Sequence, residues 1–429
     1  MKKYTQVNNF YLDKDEEFLL KDIIPEYFMD MNLDKQNISA DCVLNFLQNE
    51  MNGLLHSFLN GNFSYKGYIL FPIIKDISKV SIKRLDRLKK IAVFLNDNNY
   101  DFSSSIKKYR QRVGSKNFAA ILSALYDDFS RIKNKNTRII KKPRCKELDL
   151  KSYKKSDSGY LKPLKDLKSY ANGDLRQFLL GFYLHGSLAT NDYVKGWSDV
   201  DTLAVISKET IENPKNLLKL RDELYRMRHF FCRIDPLQHH GSIIVSEYDI
   251  ENYCQPYFPI AIYNYAKSFF KNEDVGQFRV RDSSSESIRR LFWFVNYFRK
   301  SIIEKRFNLG SYDTKVFLHS VTLFPAMYLQ AKGINVYKKF SFDLAKKEFD
   351  KRIWSPIDKI SSIRKKWRIP NKIPLTDLVS GVNPLLAYQL NSRYWDVFHN
   401  INRLNKINVR KLAVEMHALA ESAWAKIKI

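Results

Sequence analysis

Apolar residues recur at helical spacing towards both ends of the chain. This spacing predicts N-terminal helices over residues 40–58, 81–95 and 117–132. It also predicts C-terminal helices over residues 288–305, 314–332, 385–404 and 409–427. The second of these C-terminal helices is apolar nearly all round, which is typical of the central helix of a bundle.

Short apolar runs bounded by turn residues lie between the two helical ends, and this pattern predicts buried strands. The first run ends at the pair Gly186 and Ser187; eleven residues then intervene before Asp199 and Asp201, which open the run 203–206. Because side chains alternate along a strand, both aspartates should emerge on one face. Neighbouring carboxylates repel each other, so a cation such as Mg²⁺ would keep both ionised.

The order of these patterns predicts an α+β protein with a small mixed sheet between two helical regions. The predicted boundaries are 1–135 for the N-terminal helical region, 136–160 for a basic linker, 161–285 for the sheet domain and 286–429 for a C-terminal helical bundle. The linker is polar and Lys-rich, with little apolar periodicity. We expect a solvated connector there, with a phosphate-contacting arm as the alternative.

A second group of candidate residues follows the Asp-x-Asp run. An apolar stripe predicts a helix over residues 216–230, and the next run, 231–237, is a candidate third strand that carries Asp235. The proline directly after Asp235 leaves open a strand that begins later, at His239. His239 and His240 would point to opposite sides of a strand, so at most one faces a site. Metal ligation by either is not favoured, because no Cys or second His lies two or four residues away.

The Gly-Ser pair, the gap and the Asp-x-Asp triplet together resemble the motif of the DNA polymerase β-like nucleotidyltransferase superfamily. The sequence HGSLA…SDVDTLAVI is most similar to the motif of the aminoglycoside adenylyltransferase-type members of this superfamily. The resemblance covers residues 160–250 and implies that the sheet domain is a nucleotidyltransferase domain. The alternative is a surface hairpin whose two aspartates are merely solvated.

The resemblance implies a reaction and its metal ions. A nucleoside monophosphate would pass from a nucleoside triphosphate, with ATP expected, to an acceptor hydroxyl, and pyrophosphate would leave. Asp199 and Asp201 would hold two Mg²⁺ ions. The superfamily places a third carboxylate on a strand beside the Asp-x-Asp strand, and Asp235 is the match in this chain. The resemblance implies that Asp235 is catalytic: it would complete the ligands of the metal ion on the attacking side and help to deprotonate the acceptor.

The resemblance also implies a binding site for the triphosphate. The backbone amides of Gly186 and Ser187, aided by the Ser187 hydroxyl, would cradle its β- and γ-phosphates. A side chain at Gly186 would hold the backbone away from the phosphates. Lys315 and Lys338 are candidates to reach the same phosphates, and the alternative for each is an ordinary surface lysine.

The charge of the chain leaves the acceptor open. Lys and Arg number 72 against 46 Asp and Glu, which gives a formal charge of +26 and attracts polyanions in general. A basic stretch over 350–370 carries Trp354 and Trp367 and would suit an RNA-directed enzyme that extends or caps a tRNA-like 3′ end. We favour a small or glycan-like acceptor. The resemblance of the motif concerns the residues of the site itself, whereas net charge indicates only a general attraction to anions. A non-catalytic nucleotide or RNA binder is disfavoured by three clustered carboxylates.

The composition also indicates the cellular compartment. Four cysteines occur without a Cys-x-x-Cys pair, which suits a reducing cytoplasm better than a disulfide framework. The N-terminus shows no apolar stretch of signal-peptide length, and no apolar run approaches about 18 residues. We therefore expect a cytoplasmic protein that is not embedded in a membrane.

Overall fold

The structure, a computed structural model, is an α+β fold. It describes residues 40–60, 79–97, 99–109, 114–132, 137–238, 240–271, 275–368 and 401–427. The α+β class predicted from the sequence is confirmed. Within the described residues, no helix combines the length and the apolar character needed to cross a bilayer.

The N-terminal helices pack into the same core as the sheet. They are α1 (Ala40–Asn60), α2 (Lys79–Asp97), α3 (Ser103–Tyr109) and α4 (Ser115–Ser130). Three of them match the predicted helices closely. Leu54 of α1 and Phe118 of α4 belong to one buried cluster with Phe182 and Ile206 of the central strands. These helices therefore help to hold the strands that carry the aspartates.

The central sheet has five strands and is mixed. Its strands are β2 (Lys146–Glu147), β3 (Leu179–His185), β4 (Asp201–Ile206), β5 (Ile243–Ser246) and β6 (Lys267–Ser268). The order across the sheet is β2–β6–β3–β4–β5. Strand β3 runs antiparallel to β4 and β6, whereas β4 and β5 are parallel. The predicted apolar runs 182–184 and 203–206 therefore form the centre of this sheet.

The segment predicted as a basic linker, 136–160, contributes to both sheets of the structure. Strand β1 (Thr137–Lys141) pairs antiparallel with β7 (Gln277–Arg281) to form a separate two-stranded sheet. Strand β2 pairs with β6 at one edge of the central sheet. Hydrophobic patterning missed these strands because several of their side chains remain exposed, so backbone pairing rather than burial holds them.

The predicted third strand over residues 231–237 is wrong. Helices α5 (Ser158–Tyr170), α6 (Gly186–Ala189), α7 (Lys208–Glu212), α8 (Pro214–Ile234) and α9 (Glu247–Ile250) lie between the strands along the chain. The apolar stripe of α8 continues through Phe231 and Ile234, both buried, and a short apolar run cannot by itself distinguish strand from helix. Asp235 follows as the C-cap, and its amide donates to the carbonyl of Phe231 at 2.9 Å.

A helical bundle follows the sheets, as predicted. Its described helices are α10 (Ser284–Ile303), α11 (Ser311–Ala331), α12 (Lys338–Lys346), α13 (Lys351–Lys365), α14 (Ile401–Leu404) and α15 (Val409–Ile427). Helix α11 packs against the other five, which confirms its central position. Trp197 and Leu237, from loops of the sheet domain, are buried in the core of this bundle. Most of the predicted helix 385–404 lies outside the described residues.

A buried ion pair joins the three parts of the fold. Arg281 of β7 donates to Glu286 of α10 at 2.7 Å, and the two side chains are 1% and 4% exposed. The same guanidinium donates through Nε to the Gln48 side chain of α1 at 3.1 Å. A buried charge whose partner is removed keeps its desolvation cost without compensation.

We therefore expect Glu286→Gln to lower the free energy of unfolding by about 3–5 kcal/mol, because it leaves the buried Arg281 without its counter-charge. Urea unfolding followed by circular dichroism would measure the loss. The matched control is Glu251→Gln, which breaks the 3.0 Å pair with Arg279 whose side chains are 58% and 49% exposed. The control should cost less than about 1 kcal/mol. Equal losses in the two variants would contradict a structural role for the buried pair.

Candidate functional site

The two aspartates of the motif lie at the start of β4 and face the same way. Asp201 is the first residue of the strand and pairs in register with His185 at the end of β3. Nε2 of His240 lies 2.9 Å from Asp199 Oδ2 and 3.4 Å from Asp201 Oδ1. The side chains of Asp199 and Asp201 are 8% and 26% exposed. The predicted common face of the two carboxylates is therefore observed.

Gly186 makes room for the Asp201 carboxylate. Its φ is +70°, a left-handed conformation that side-chain-bearing residues rarely adopt. A Cβ at this position would lie 2.0 Å from Asp201 Oδ2. The turn after β3 and the aspartate at the head of β4 thus fit together only because residue 186 has no side chain.

Ser187 fixes the loop that connects the turn to the aspartates. Its hydroxyl donates to the hydroxyl of Ser198 at 2.8 Å, and that oxygen accepts from the amide of Val194 at 2.9 Å. The carbonyl of Ser187 accepts from the amide of Asp192 at 3.1 Å. The side chain of Ser187 is therefore engaged within the protein, whereas the sequence analysis assigned it to a phosphate.

His240 approaches the aspartates because β5 is parallel to β4. Leu203 pairs with Ile243, so the residues just before the two strands are also neighbours. Gln238 joins these two segments: its carbonyl oxygen accepts from the amide of Val200 at 2.9 Å, and its NH₂ donates to the carbonyl of His240 at 3.0 Å. The ring of His240 is thereby placed between the two carboxylates.

The helical bundle contributes a second imidazole. Nδ1 of His319, on α11, lies 3.2 Å from Oδ2 of Asp199, the same oxygen that His240 contacts. The His319 ring also packs against Trp197, with ring centroids 5.1 Å apart. One wall of the site therefore comes from the bundle rather than from the sheet domain.

Burial and charge act against each other in this cluster. Burial raises the pKa of the Asp199 carboxyl, but the charges and hydrogen bonds of His319 and His240 outweigh it and hold that pKa well below its ordinary value. Burial lowers the pKa of His240, but hydrogen bonds to Asp199 and Asp201 raise it well above its ordinary value. Burial lowers the pKa of His319 despite the neighbouring Asp199. Nε2 of His240 therefore lies where a positive charge would offset the repulsion between the two carboxylates.

Asp235 and Lys315 form a buried ion pair beneath the site. Both side chains are 0% exposed, and the lysine ammonium donates to the carboxylate. The other carboxylate oxygen of Asp235 accepts from the amide of Leu237 at 3.0 Å. Burial raises the pKa of Asp235 to about 6, and the nearby Asp199 adds to the rise against the opposing charge of Lys315. Neither predicted role, metal ligand for Asp235 or triphosphate contact for Lys315, is favoured by this pairing.

Lys338 contributes a cation near the two aspartates. It is the first residue of α12 and is half-buried. Burial lowers the pKa of Lys338, while the charges of Asp201 and Asp199 raise it. Lys338 therefore lies within electrostatic reach of both aspartates.

The donor set fits a single divalent cation. Asp199, Asp201 and His240 each offer one ligand atom, and these atoms all lie within 4.8 Å of one another. Ligand atoms around a Mg²⁺ or Mn²⁺ ion lie about 2.0–2.2 Å from the metal, so neighbouring ligands are about 3 Å apart. Within the described residues this is the group that could hold a metal ion; the two-ion arrangement stays a prediction.

Sequence reasoning missed both histidines of the site. His240 lies in the loop just before β5, the strand beside β4, whereas the sequence left open a strand that begins at His239. The absence of a second nearby His counted against metal ligation by His240. His239 itself lies outside the described residues. His319 gave no local signal, because it is one polar residue within the apolar helix α11, 120 residues after Asp199.

Comparison of the chain with family models, with curated proteins and with solved structures found no match. The resemblance to nucleotidyltransferases therefore stays a prediction from the sequence motif.

We expect Gly186→Ala to displace the Asp201 carboxylate, since the added Cβ would occupy its place and the left-handed φ would be strained. Divalent-cation binding should weaken by about tenfold or more, as isothermal titration calorimetry would measure. Gly276→Ala is the control, because a Cβ there meets no atom within 4 Å. Unchanged cation affinity in Gly186→Ala would show that the turn does not position Asp201.

Lys315→Met and Asp235→Asn should each lower the free energy of unfolding by about 3 kcal/mol or more, because each leaves one buried partner without its counter-charge. The double variant should lose less than the sum, since no uncompensated charge remains. A double-mutant cycle by urea unfolding measures the coupling. Additive losses would mean that the two side chains do not stabilise each other.

Proposed function

We propose that the chain is a nucleotidyltransferase that moves a nucleoside monophosphate from a nucleoside triphosphate to an acceptor hydroxyl. The observation that supports this most directly is the fit of the Gly186 turn against Asp201, with Asp199 on the same face. A glycine turn and a carboxylate pair in contact bring phosphate-binding amides and a cation site together, as phosphoryl transfer requires.

The cation site would serve the α-phosphate. Asp199 and Asp201, joined by His240, would hold a divalent cation, which neutralises charge that develops on the phosphate oxygens. The acceptor oxygen forms a bond to the α-phosphorus, the bond to the β-phosphate oxygen breaks, and the acceptor proton passes to the aspartate pair. Pyrophosphate is the leaving group. Asp235 acts in this proposal only by fixing Lys315 and the loop before His240.

The remaining phosphates would lie against the turn and α12. The first amides of α6 come at Gly186 and Ser187, and Lys338 interacts electrostatically with Asp201 beside that turn. Lys338 offers the point charge that a β- or γ-phosphate attracts. ATP is the expected nucleotide.

The acceptor is proposed to be small or glycan-like. An RNA held along the basic segment 136–160 would need its cations on the surface, yet Lys142 is 5% exposed. Its ammonium lies 5.0 Å from the ring centroid of Tyr183 and 5.2 Å from that of Tyr263. This burial removes Lys142 from a phosphate-contacting arm, whereas Lys141, Arg144 and Lys146 of the same segment are exposed. The proposal of a small acceptor therefore comes from the sequence motif and not from the burial of the segment.

Asp199→Asn and Asp201→Asn should each reduce turnover by about a thousandfold or more, because each removes a charge that the transition state requires. Transfer from α-labelled triphosphates, with Mg²⁺ or Mn²⁺ and a metabolite extract, would measure it. Asp222→Asn, on the exposed side of α8, should keep full activity. A site variant that keeps more than about a tenth of wild-type turnover would contradict the assignment.

A further inference from the structure

The aspartate pair has a nitrogen donor aimed between its two carboxylates. Nε2 of His240 is 2.9 Å from one aspartate oxygen and 3.4 Å from the other. These spacings are close to those of neighbouring ligands on one cation. A carboxylate pair alone offers only oxygen ligands. A nitrogen as the third ligand atom changes which metal ions the site prefers.

The orientation of His240 is fixed by groups other than the aspartates. Nδ1 lies 3.0 Å from the carbonyl oxygen of Gly241, so this nitrogen has its own partner and Nε2 is the atom left to face the carboxylates. The Gln238 NH₂ holds the carbonyl of His240 at 3.0 Å. A second hydrogen bond of this kind, from ring nitrogen to backbone carbonyl, is the usual support of a ligating histidine.

His319 differs from His240 in this respect. Its Nδ1 contacts Asp199 at 3.2 Å, but His319 is not among the three residues whose ligand atoms all lie within 4.8 Å of one another. It is therefore a positioning residue that holds the Asp199 carboxylate from the side of the bundle. The two histidines provide an internal comparison, since both touch one oxygen and only His240 completes the donor set.

We propose that His240 Nε2 is a metal ligand together with Asp199 and Asp201, and that the site takes a first-row transition-metal dication such as Mn²⁺ in preference to Mg²⁺. Imidazole nitrogen suits transition metals, whereas Mg²⁺ is bound by oxygen ligands and dehydrates reluctantly. As the cation binds, the nitrogen–metal bond replaces the Nε2 proton, which leaves to solvent. The inference rests on the proposed function for its site and is tested without turnover.

The test measures binding of Mn²⁺ alone to the full chain, from the electron paramagnetic resonance signal of free Mn²⁺, and then its displacement by Mg²⁺. We expect wild type to prefer Mn²⁺ over Mg²⁺ by about tenfold or more. In His240→Gln an amide oxygen replaces the nitrogen, so Mn²⁺ affinity should fall by about tenfold or more and the preference should largely disappear. Circular dichroism would confirm that the variant is folded.

The matched control is His319→Gln, which alters a contact to the same Asp199 oxygen and should leave the preference for Mn²⁺ intact. Should His240→Gln fail to fold, pulsed electron paramagnetic resonance of Mn²⁺-loaded wild type tests the same point through coupling to a bound ¹⁴N nucleus. The inference is overturned if wild type shows no preference, if His240→Gln keeps it, or if ¹⁴N coupling is absent. Selective Mn²⁺ binding without nucleotidyl transfer would overturn the proposed function alone.

Discussion

The site depends on overcoming the repulsion between two carboxylates placed side by side at the head of one strand. Asp199 and Asp201 would disfavour each other's charge unless a positive group lay between them. His240 places its Nε2 atom there from the loop before the neighbouring parallel strand β5, 2.9 Å from Asp199 Oδ2 and 3.4 Å from Asp201 Oδ1. Three features hold this arrangement. They are the parallel register of β4 and β5, the hydrogen bonds of Gln238, and the absence of a side chain at Gly186.

The electrostatic balance extends below the site through a second pair. Burial raises the pKa of the Asp235 carboxyl, and the negative charge of the nearby Asp199 adds to that rise. The positive charge of Lys315, on α11, lowers the pKa of Asp235 again. Helix α11 thus places a lysine against one aspartate and a histidine against another, four residues apart along one face. The bundle is therefore part of the charge balance of the sheet domain and is more than a cover over it.

Local patterns predicted the parts of the molecule that local chemistry determines. The helical stripes, the strand pair around Gly186 and the shared face of Asp199 and Asp201 follow from periodicity and turn residues. The strands of 136–160 could not be predicted, because their stability comes from partners more than 100 residues away in the chain. The strand predicted to carry Asp235 was wrong because the run before it continues a helix. His319 reaches Asp199 only through packing of the bundle.

The wide separation of the site residues along the chain also sets an order of assembly during synthesis. His240 follows Asp199 by 41 residues, whereas His319 follows it by 120. At about 5–20 residues per second, the ribosome would need about 6–24 s to add that longer segment. The strands and His240 would therefore leave the ribosome before the bundle. Until the bundle is synthesised, Asp199 and Asp201 would have only the His240 imidazole beside them, and His319 would be absent.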